Sequence, residues 1–563
     1  MKIGIIGGGL SGTIACKYAL ERGHTPIIFE KTNQIGGVYS LLYDKKNYKL
    51  SSSKYITSFT DHLPSKENNI WMDIEEFQNY IGSYIEKFNL LKYFKFNCQI
   101  KNLKYFKTHV LLFYENNLGE INVEKFDKII ISTGLNQNPK YKEINGLDSF
   151  QGTKIHTHDV YTNSNYDPKK FFKGKNILIV GGGESSFDIG HEAVKYGKKI
   201  YLHTDNDVEW FPEGALEVDE KTGKRYDKCF KDMNRIYHGK GNSNYFVNNN
   251  DETSAPNDTI LTRNEYSFNP LYSEIWQSYI AREIAPGNYQ KRCTHGIKEL
   301  CKNNQRNLFA KYLVKRTNFL CDIKEKKVKI LRDKINFNDN QLLNKGNIVD
   351  DIDIIIFATG YRPKLEFLPE EIKEDEYIKN IIPKNFPNIA FVGFTRPTMG
   401  SILIVAETQV MWTMLFFEKK LKYKIRKKSI FRSIDPLNLK NKFLRHLVIN
   451  NYYIDDLAKD MKNNPNLVKI FFTDKDLWYY MFYGMAHPIN YRLRGEYYDK
   501  NANKNIKRFY HETFLLRNEN QKFFVYSIFL IRIILTFIFA LVIILSVLFI
   551  YYYRKKLNGL SKN

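Results

Sequence analysis

The stretch KIGIIGGGLSG, Lys2 to Gly12, decides the reading of this chain. An apolar strand from Lys2 to Ile6 runs into Gly7, Gly9 and Gly12 in G-x-G-x-x-G spacing, and a helical stretch follows through Leu20. Each glycine has a separate reason. Gly7 permits the tight turn, Gly9 lets backbone approach a pyrophosphate, and Gly12 allows the helix to pack closely. Gly8, Leu10 and Ser11 complete the loop, whose amides and helix dipole favour an anion. The next strand, TPIIFE, ends at Glu30, 18 residues after Gly12, where a carboxylate can accept from ribose hydroxyls. Strand, glycines, helix and terminal acid together predict a dinucleotide site.

A second copy begins at Lys175 with KNILIVGGGESSFDIGHEAV, carrying Gly181, Gly183, Ser185 and Ser186 at the motif positions and Phe187 and Asp188 just after. Ser186 replaces the third glycine and is expected to set a hydroxyl beside the phosphates. KIIISTG (Lys128 to Gly134) and IDIIIFATGY (Ile352 to Tyr361) read as buried strands that return the chain to a sheet beside a cofactor. The predicted fold class is therefore α/β with two Rossmann-like dinucleotide-binding domains, the first discontinuous and interrupted by the second. After the strand KKIYLH comes Thr204-Asp205-Asn206-Asp207, where an enzyme that binds a 2′-phosphate would be expected to carry Arg. Asp205, 22 residues past Gly183, is read as an acceptor for a free ribose 2′-OH, with a Lys or Arg supplied from elsewhere as the alternative.

At 563 residues and 66.5 kDa the chain is long enough for two or three domains. Hydrophobic residues at 43% and aromatics at 15% exclude a wholly disordered polypeptide. Lys+Arg 85 against Asp+Glu 61 gives +24, which invites nucleic acid or an anionic membrane, but no nucleic-acid-binding signature accompanies it. Six scattered cysteines form no C-x-x-C pair and no zinc spacing, so a metal site is not expected. No secretory signal opens the chain. Ile533 to Tyr553 runs without a charge, long enough at about 1.5 Å per residue to cross a lipid bilayer, and is flanked by Arg532 and by Arg554 to Lys556.

Taken in order, these motifs resemble the flavin-containing monooxygenase family, in particular its membrane-bound, animal-type, dimethylaniline N-oxide-forming members. The resemblance rests on Gly7-x-Gly9-x-Ser11-Gly12, Glu30, Ile35-Gly36-Gly37-Val38-Tyr39, Phe150-Gln151-Gly152-Thr153-Lys154-Ile155-His156, Ser185 with Asp188, and Phe357-Ala358-Thr359-Gly360-Tyr361. It continues through Glu407-Thr408-Gln409, Tyr453 to Ala458, Phe472 to Asp474 and Pro488 to Leu493. It implies FAD in the first fold, NADPH (NADH possible) in the second, and molecular oxygen captured as a flavin C4a-hydroperoxide that oxygenates a nucleophilic amine or thioether. Gly7 to Ser11, Glu30, Val38 and Tyr39 would contact FAD, and Ser185 to Asp188 would lie at the NAD(P) phosphates. Tyr39 stands where the family has Trp. His156 orients the inter-domain junction or serves as a structural histidine. LSSSKY, Leu50 to Tyr55, resembles the family's T-N-S-S-K stretch, with Ser51 at the active-site Asn and Ser52 beside it. A serine offers one donor where an amide offers two, so Ser51 predicts more uncoupled hydrogen peroxide.

The implied segments are 1–165 and 336–425 for FAD, 166–335 for NAD(P), 426–520 for a C-terminal extension and 521–563 for an anchor in the endoplasmic reticulum membrane. A flavin NAD(P)H oxidase producing hydrogen peroxide and a membrane-tethered degenerate homologue are the competing readings, and Baeyer-Villiger oxidation stays open.

Overall fold

The structure is a computed structural model that describes residues 1–42, 48–69, 71–205, 208–210, 300, 313–314, 318–397, 400–421, 447–448, 450–483 and 487–514, with positions 530, 534 and 544–546 beyond. Residues 1–514 form one compact unit and 515–563 another.

In chain order the first half of the unit contains β1 (Lys2–Ile6), α1 (Leu10–Glu21), β2 (Thr25–Phe29), α2 (Ile74–Lys87) and β3 (Phe94–Lys95). An antiparallel meander follows, β4 (Gln99–Tyr105), β5 (Val110–Glu115) and β6 (Ile121–Phe126), and then β7 (Lys128–Ile131). Ile3, Ile5 and Ile6 of β1 and Ile129, Ile130 and Ile131 of β7 are all buried, as expected of central parallel strands covered on both faces. Asp73 caps α2 with Glu76 in a reciprocal capping box.

β8 (Thr153–His156), α3 (Thr157–Thr162), β9 (Asn176–Val180), α4 (Glu184–Tyr196) and β10 (Lys199–His203) come next. They are followed by α5 (Asn318–Lys324), β11 (Val328–Leu331), a second meander of β12 (Ile335–Asn338), β13 (Gln341–Asn344) and β14 (Asn347–Asp351), and β15 (Ile354–Phe357). β16 (Ile389–Phe391), α6 (Ile402–Phe417) and α7 (Asn450–Asp460) complete the elements that bear on the site.

These strands make two five-stranded parallel sheets, ordered β16-β7-β1-β2-β3 and β8-β15-β9-β10-β11. The order is the same in both, with a three-stranded meander ahead of the strand beside the centre each time. The edge strand of the second sheet, however, comes from before its first strand, and that of the first sheet comes from far downstream. Two expectations are corrected by this pairing. IDIIIFATGY is β15, hydrogen-bonded between β9 and β8 in the second sheet, so the strand that makes the first sheet discontinuous is β16. The boundaries at 165/166 and 335/336 cut through the second sheet, because β8 lies before one and β15 after the other.

The uncharged run 533–553 lies almost wholly outside the described residues. Among the described residues no helix is long and apolar enough to cross a membrane. The polar stretch Glu209 to Asp258 also lies outside them, apart from its first two residues.

Candidate functional site

The first glycine loop is shaped by close backbone packing. Gly7 directly follows β1 at φ +104°, and a Cβ there would lie 2.8 Å from the Ser132 carbonyl oxygen. A Cβ on Gly12 would fall 1.9 Å from the Gly7 carbonyl oxygen, so only glycine lets α1 sit against the turn. Gly9 caps α1 with extended backbone and no side-chain acceptor, which leaves the first-turn amides near Leu10 and Ser11 without a side-chain partner. Gly36 and Gly37, both at positive φ, bring a second stretch against the loop, and a Cβ on Gly37 would lie 3.1 Å from the Gly9 Cα.

Glu30 follows β2 and is 5% exposed. Its Oε2 accepts from the Gly8 N–H at 2.8 Å, and its Oε1 from the Thr32 N–H and Oγ1, each at 2.9 Å. The carboxylate is thereby aimed across the loop, and Oε2 keeps a lone pair for a ribose hydroxyl. The Thr133 hydroxyl, buried next to the Gly7 turn, has no partner among the described residues. An orphaned buried hydroxyl, a glycine cradle and an aimed carboxylate fit a bound dinucleotide. Val38 is exposed, whereas the Tyr39 ring packs edge-on against Phe77 of α2 at 4.9 Å and its carbonyl accepts from Gln78.

Sequence reasoning missed the downstream side of this site. A Cβ on Gly393, at φ +82°, would lie 2.3 Å from Ser11 Oγ, so the turn after β16 closes on the start of α1. The Gly393 N–H donates to Gln409 Oε1 at 3.0 Å, and Gln409 Nε2 donates to Thr395 Oγ1 and to the Tyr453 hydroxyl. Gln409 lay in a motif quoted above, but its partners could be found only from the sheet pairing.

The second loop repeats the first. Gly181 has φ +125°, and a Cβ there would lie 2.3 Å from the Ala358 carbonyl oxygen at the end of β15. Gly183 caps α4 with open space around its Cα. Two expected phosphate contacts turn inward instead. Ser186 is fully buried and its Oγ donates to the Gly183 carbonyl at 2.5 Å, which tightens the first turn. Phe187 is buried in the core, edge-on to Phe319 at 5.3 Å. Ser185 and Asp188 stay half-buried, and the Ser185 carbonyl accepts from the Tyr161 hydroxyl. Burial, reinforced by Asp188, pushes the Tyr161 phenol well above its ordinary pKa. His156 is a structural residue: Nδ1 accepts from the His158 N–H, Nε2 donates to the Gly360 carbonyl, and burial lowers its pKa.

Strand register corrects the reading of Asp205. Ile6 pairs with Phe29 and Val180 with His203, so the residue equivalent to Glu30 is Thr204. Thr204 also stands 18 residues after Ser186, the spacing of Glu30 from Gly12. A Cβ on Gly182 would lie 2.7 Å from Thr204 Oγ1, as one on Gly8 would lie 3.2 Å from Glu30 Oε2. Asp205 is one residue farther on, 59% exposed, and ion-paired with Lys142.

Ser51 is half-buried at the head of a segment that is tied down along its length. Ser52 shares a 2.6 Å hydrogen bond with Thr57 Oγ1. Lys54, 3% exposed, donates to the carbonyls of Ser65, Lys66 and Asn68. At the far end Thr60 Oγ1 donates to Glu407 Oε1 of α6 at 2.6 Å, and the Thr60 N–H donates to Oε2 at 3.1 Å. Tyr18 of α1 donates to the same Oε1 at 2.8 Å. Arg492 reaches Tyr18, Thr60 and Asp61, while Asp61 also pairs with Lys17. Burial, and next the charge of Asp61, raise the Glu407 carboxyl to about 7. The cofactor helix, the Ser51 segment, α6 and the Pro488–Tyr491 turn thus meet at one buried ionic cluster.

The Flavin-binding monooxygenase-like family model matches residues 1–218 and 229–553. A protein named 4-hydroxybenzoate brominase (decarboxylating) from Marinomonas mediterranea is 28% identical over 416 residues, covering 72% of each chain. Flavin-containing monooxygenase 5 of Homo sapiens is 25% identical over 551 residues, covering 88% of this chain and 89% of its own. Among solved structures, cyclohexanone monooxygenase from Rhodococcus sp. Phi1 bound to NADP+ superposes with a TM-score of 0.54 at 16% identity, covering 81% of this chain and 96% of that one. S-allyl-L-cysteine S-oxygenase from Allium sativum gives 0.52 at 15% identity, covering 90% and 99%. FAD and NADPH are the cofactors that the family and its neighbours support. With its two glycine loops and a match running over most of its length, the chain belongs to the flavin-binding monooxygenase-like family.

Proposed function

We propose that this oxidoreductase transfers one oxygen atom of O2 to a nucleophilic nitrogen or sulfur of a small molecule. The observation that carries the reading is the pair of like-ordered sheets, each with its glycine loop at the end of its central strand. Bound FAD, reduced by NADPH, supplies the oxygen chemistry. The first-loop amides would hold the FAD pyrophosphate and Glu30 its ribose, while Gly181 to Ser185 would hold the nicotinamide nucleotide. The clamps on Lys54, Thr60 and Asp61 keep the Ser51 segment fixed, so a single hydroxyl is presented where the family resemblance places an amide.

That shorter donor favours a second reading for part of the turnover, in which electrons leave as hydrogen peroxide. Purified full-length protein supplied with NADPH, O2 and a tertiary amine or thioether tests the assignment. Formation of an N-oxide or S-oxide in step with oxygen consumption supports it, whereas hydrogen peroxide alone, with either substrate, sinks it. A parallel reaction with 4-hydroxybenzoate and bromide tests the chemistry named for the brominase relatives.

We further propose that the uncharged run 533–553, with its basic flanks, spans a membrane once, that of the endoplasmic reticulum being what the family resemblance implies. Retention in the membrane pellet after alkaline carbonate, lost on truncation after residue 520, is the expected result. Release of the full chain by carbonate would refute the span.

A further inference from the structure

Asn450 is the first residue of α7 and is 2% exposed. Neither its Nδ2 nor its Oδ1 has a hydrogen-bond partner among the described residues. An Asn at a helix start ordinarily turns its side chain back to accept from the first-turn amides, and Asn450 does not. An amide buried with two donors and an acceptor unused works against the fold, which marks it as a group waiting for a ligand. Its neighbours place it. Arg396 and Pro397 pair in parallel with Leu447 and Val448, which brings Asn450 beside Gly400. A Cβ on Gly400, at φ +104°, would lie 3.6 Å from Asn450 Nδ2 and 3.1 Å from Ile56 Cδ1. Ile56, fully buried, belongs to the turn that carries Ser51, where the Thr57 N–H donates to the Ser53 carbonyl at 3.0 Å and Thr57 Oγ1 bonds Ser52. One turn along α7, the Tyr453 hydroxyl accepts from Gln409, which also accepts from Gly393, the residue that closes on Ser11. The unused amide therefore stands where the Ser51 turn meets the segment that closes the first glycine loop.

We propose that Asn450 is a specificity residue whose amide receives a neutral group of the substrate that both donates and accepts, above all a primary carboxamide, carried on the same small molecule as the nucleophilic nitrogen or sulfur. This rests on the oxygen-transfer reading given above. A carboxamide meets both atoms at once, its N–H donating to Oδ1 and its carbonyl accepting from Nδ2. A carboxylate takes only the donor and faces the lone pairs of Oδ1, and an alkyl group leaves both atoms bare. Gly400, having no side chain, leaves room beside Nδ2, and Ile56 offers an apolar wall to the carbon chain of such a molecule. A buried water needs several polar partners, and the Ile56 side chain offers none.

The test compares two methyl thioethers of the same length and branching, one ending in a carboxamide and the other in an isopropyl group, with the purified flavin-loaded full chain, NADPH and O2. Wild type should form S-oxide from the carboxamide with a kcat/KM about 10-fold or more above that for the isopropyl compound. The difference should lie in KM, because the contact is remote from the reacting sulfur. Asn450→Leu, close in volume, should lose about 10-fold on the carboxamide and keep the isopropyl compound within about 2-fold, whereas a role in folding alone would lower both alike. Flavin content and circular dichroism identify a variant that fails to fold, and the wild-type preference tests the proposal without it. Equal kcat/KM for the two compounds in wild type, the result if Asn450 holds only a buried water, or equal loss on both in Asn450→Leu, would overturn the proposal while leaving oxygen transfer to sulfur standing. S-oxide from neither compound would overturn both.

Discussion

Glu407 is fully buried, and its carboxyl is raised from the ordinary 4.5 to about 7 by burial and by Asp61. The folded protein therefore holds a proton that the unfolded chain releases. A carboxyl raised in this way stabilises the fold most below about pH 4.5 and progressively less as pH rises to about 7, with no further change above. From about pH 5.5 to about pH 8.5 the linkage amounts to about 2 kcal/mol lost. For a unit the size of Met1–Phe514 the unfolding entropy makes that about 2 °C in Tm. Glu407→Gln removes the titration and keeps the shape, since the introduced amide can accept from the Thr60 N–H through its oxygen and offer its N–H groups to the Tyr18 and Thr60 hydroxyls, where a protonated carboxyl offers one O–H. Scanning calorimetry of flavin-loaded wild type and E407Q in matched buffers isolates this cluster, because titrations outside it cancel in the difference. Wild type should lose about 2 °C relative to E407Q across that range. Parallel curves, or a relative gain for wild type with rising pH, would refute the reasoning.

Gly12→Ala sets a Cβ 1.9 Å from the Gly7 carbonyl oxygen, and the purified variant should lack the absorbance of bound flavin. Gly181→Ala, at φ +125° and 2.3 Å from the Ala358 oxygen, should keep its flavin yet show no heat of NADP+ binding. Lys54→Met strands three carbonyls that Lys54 now satisfies, at a cost of about 3 kcal/mol, and should speed amide exchange between residues 48 and 69 before any global unfolding. Ser51→Asn restores a second donor and should raise the ratio of oxygenated product to hydrogen peroxide severalfold, measured by peroxidase-coupled assay and product chromatography.

The features legible in the sequence were those set by local backbone geometry. Gly7, Gly12 and Gly181 sit where a Cβ would strike backbone, and Glu30 ends its strand, so spacing alone located them. What escaped depends on pairing over long sequence separations. IDIIIFATGY has the apolar pattern of any central parallel strand, and only its register with β9 and β8 assigns it to the second sheet. Asp205 was counted from Gly183, but strand register points to Thr204, and the Lys142 that pairs with Asp205 lies 63 residues away in sequence. Ser186 and Phe187 occupy the inner face of α4, which the motif alone does not distinguish from the outer one. Lys17 resembles a solvated helix lysine, yet it is 2% exposed because Asp61 and the rings of Tyr18 and Phe88 enclose it. Gly393 and Arg492 reach α1 from hundreds of residues downstream, beyond any local pattern.

The central claim is that two nucleotide folds on one chain deliver electrons to oxygen and one oxygen atom to a soft nucleophile. Its most direct test is the fate of oxygen in the purified, flavin-loaded chain, followed with labelled O2, NADPH and a small thioether or tertiary amine. One labelled atom should appear in the S-oxide or N-oxide for a substantial share of the NADPH consumed. A yellow protein that consumes NADPH but leaves both substrates unlabelled would contradict it.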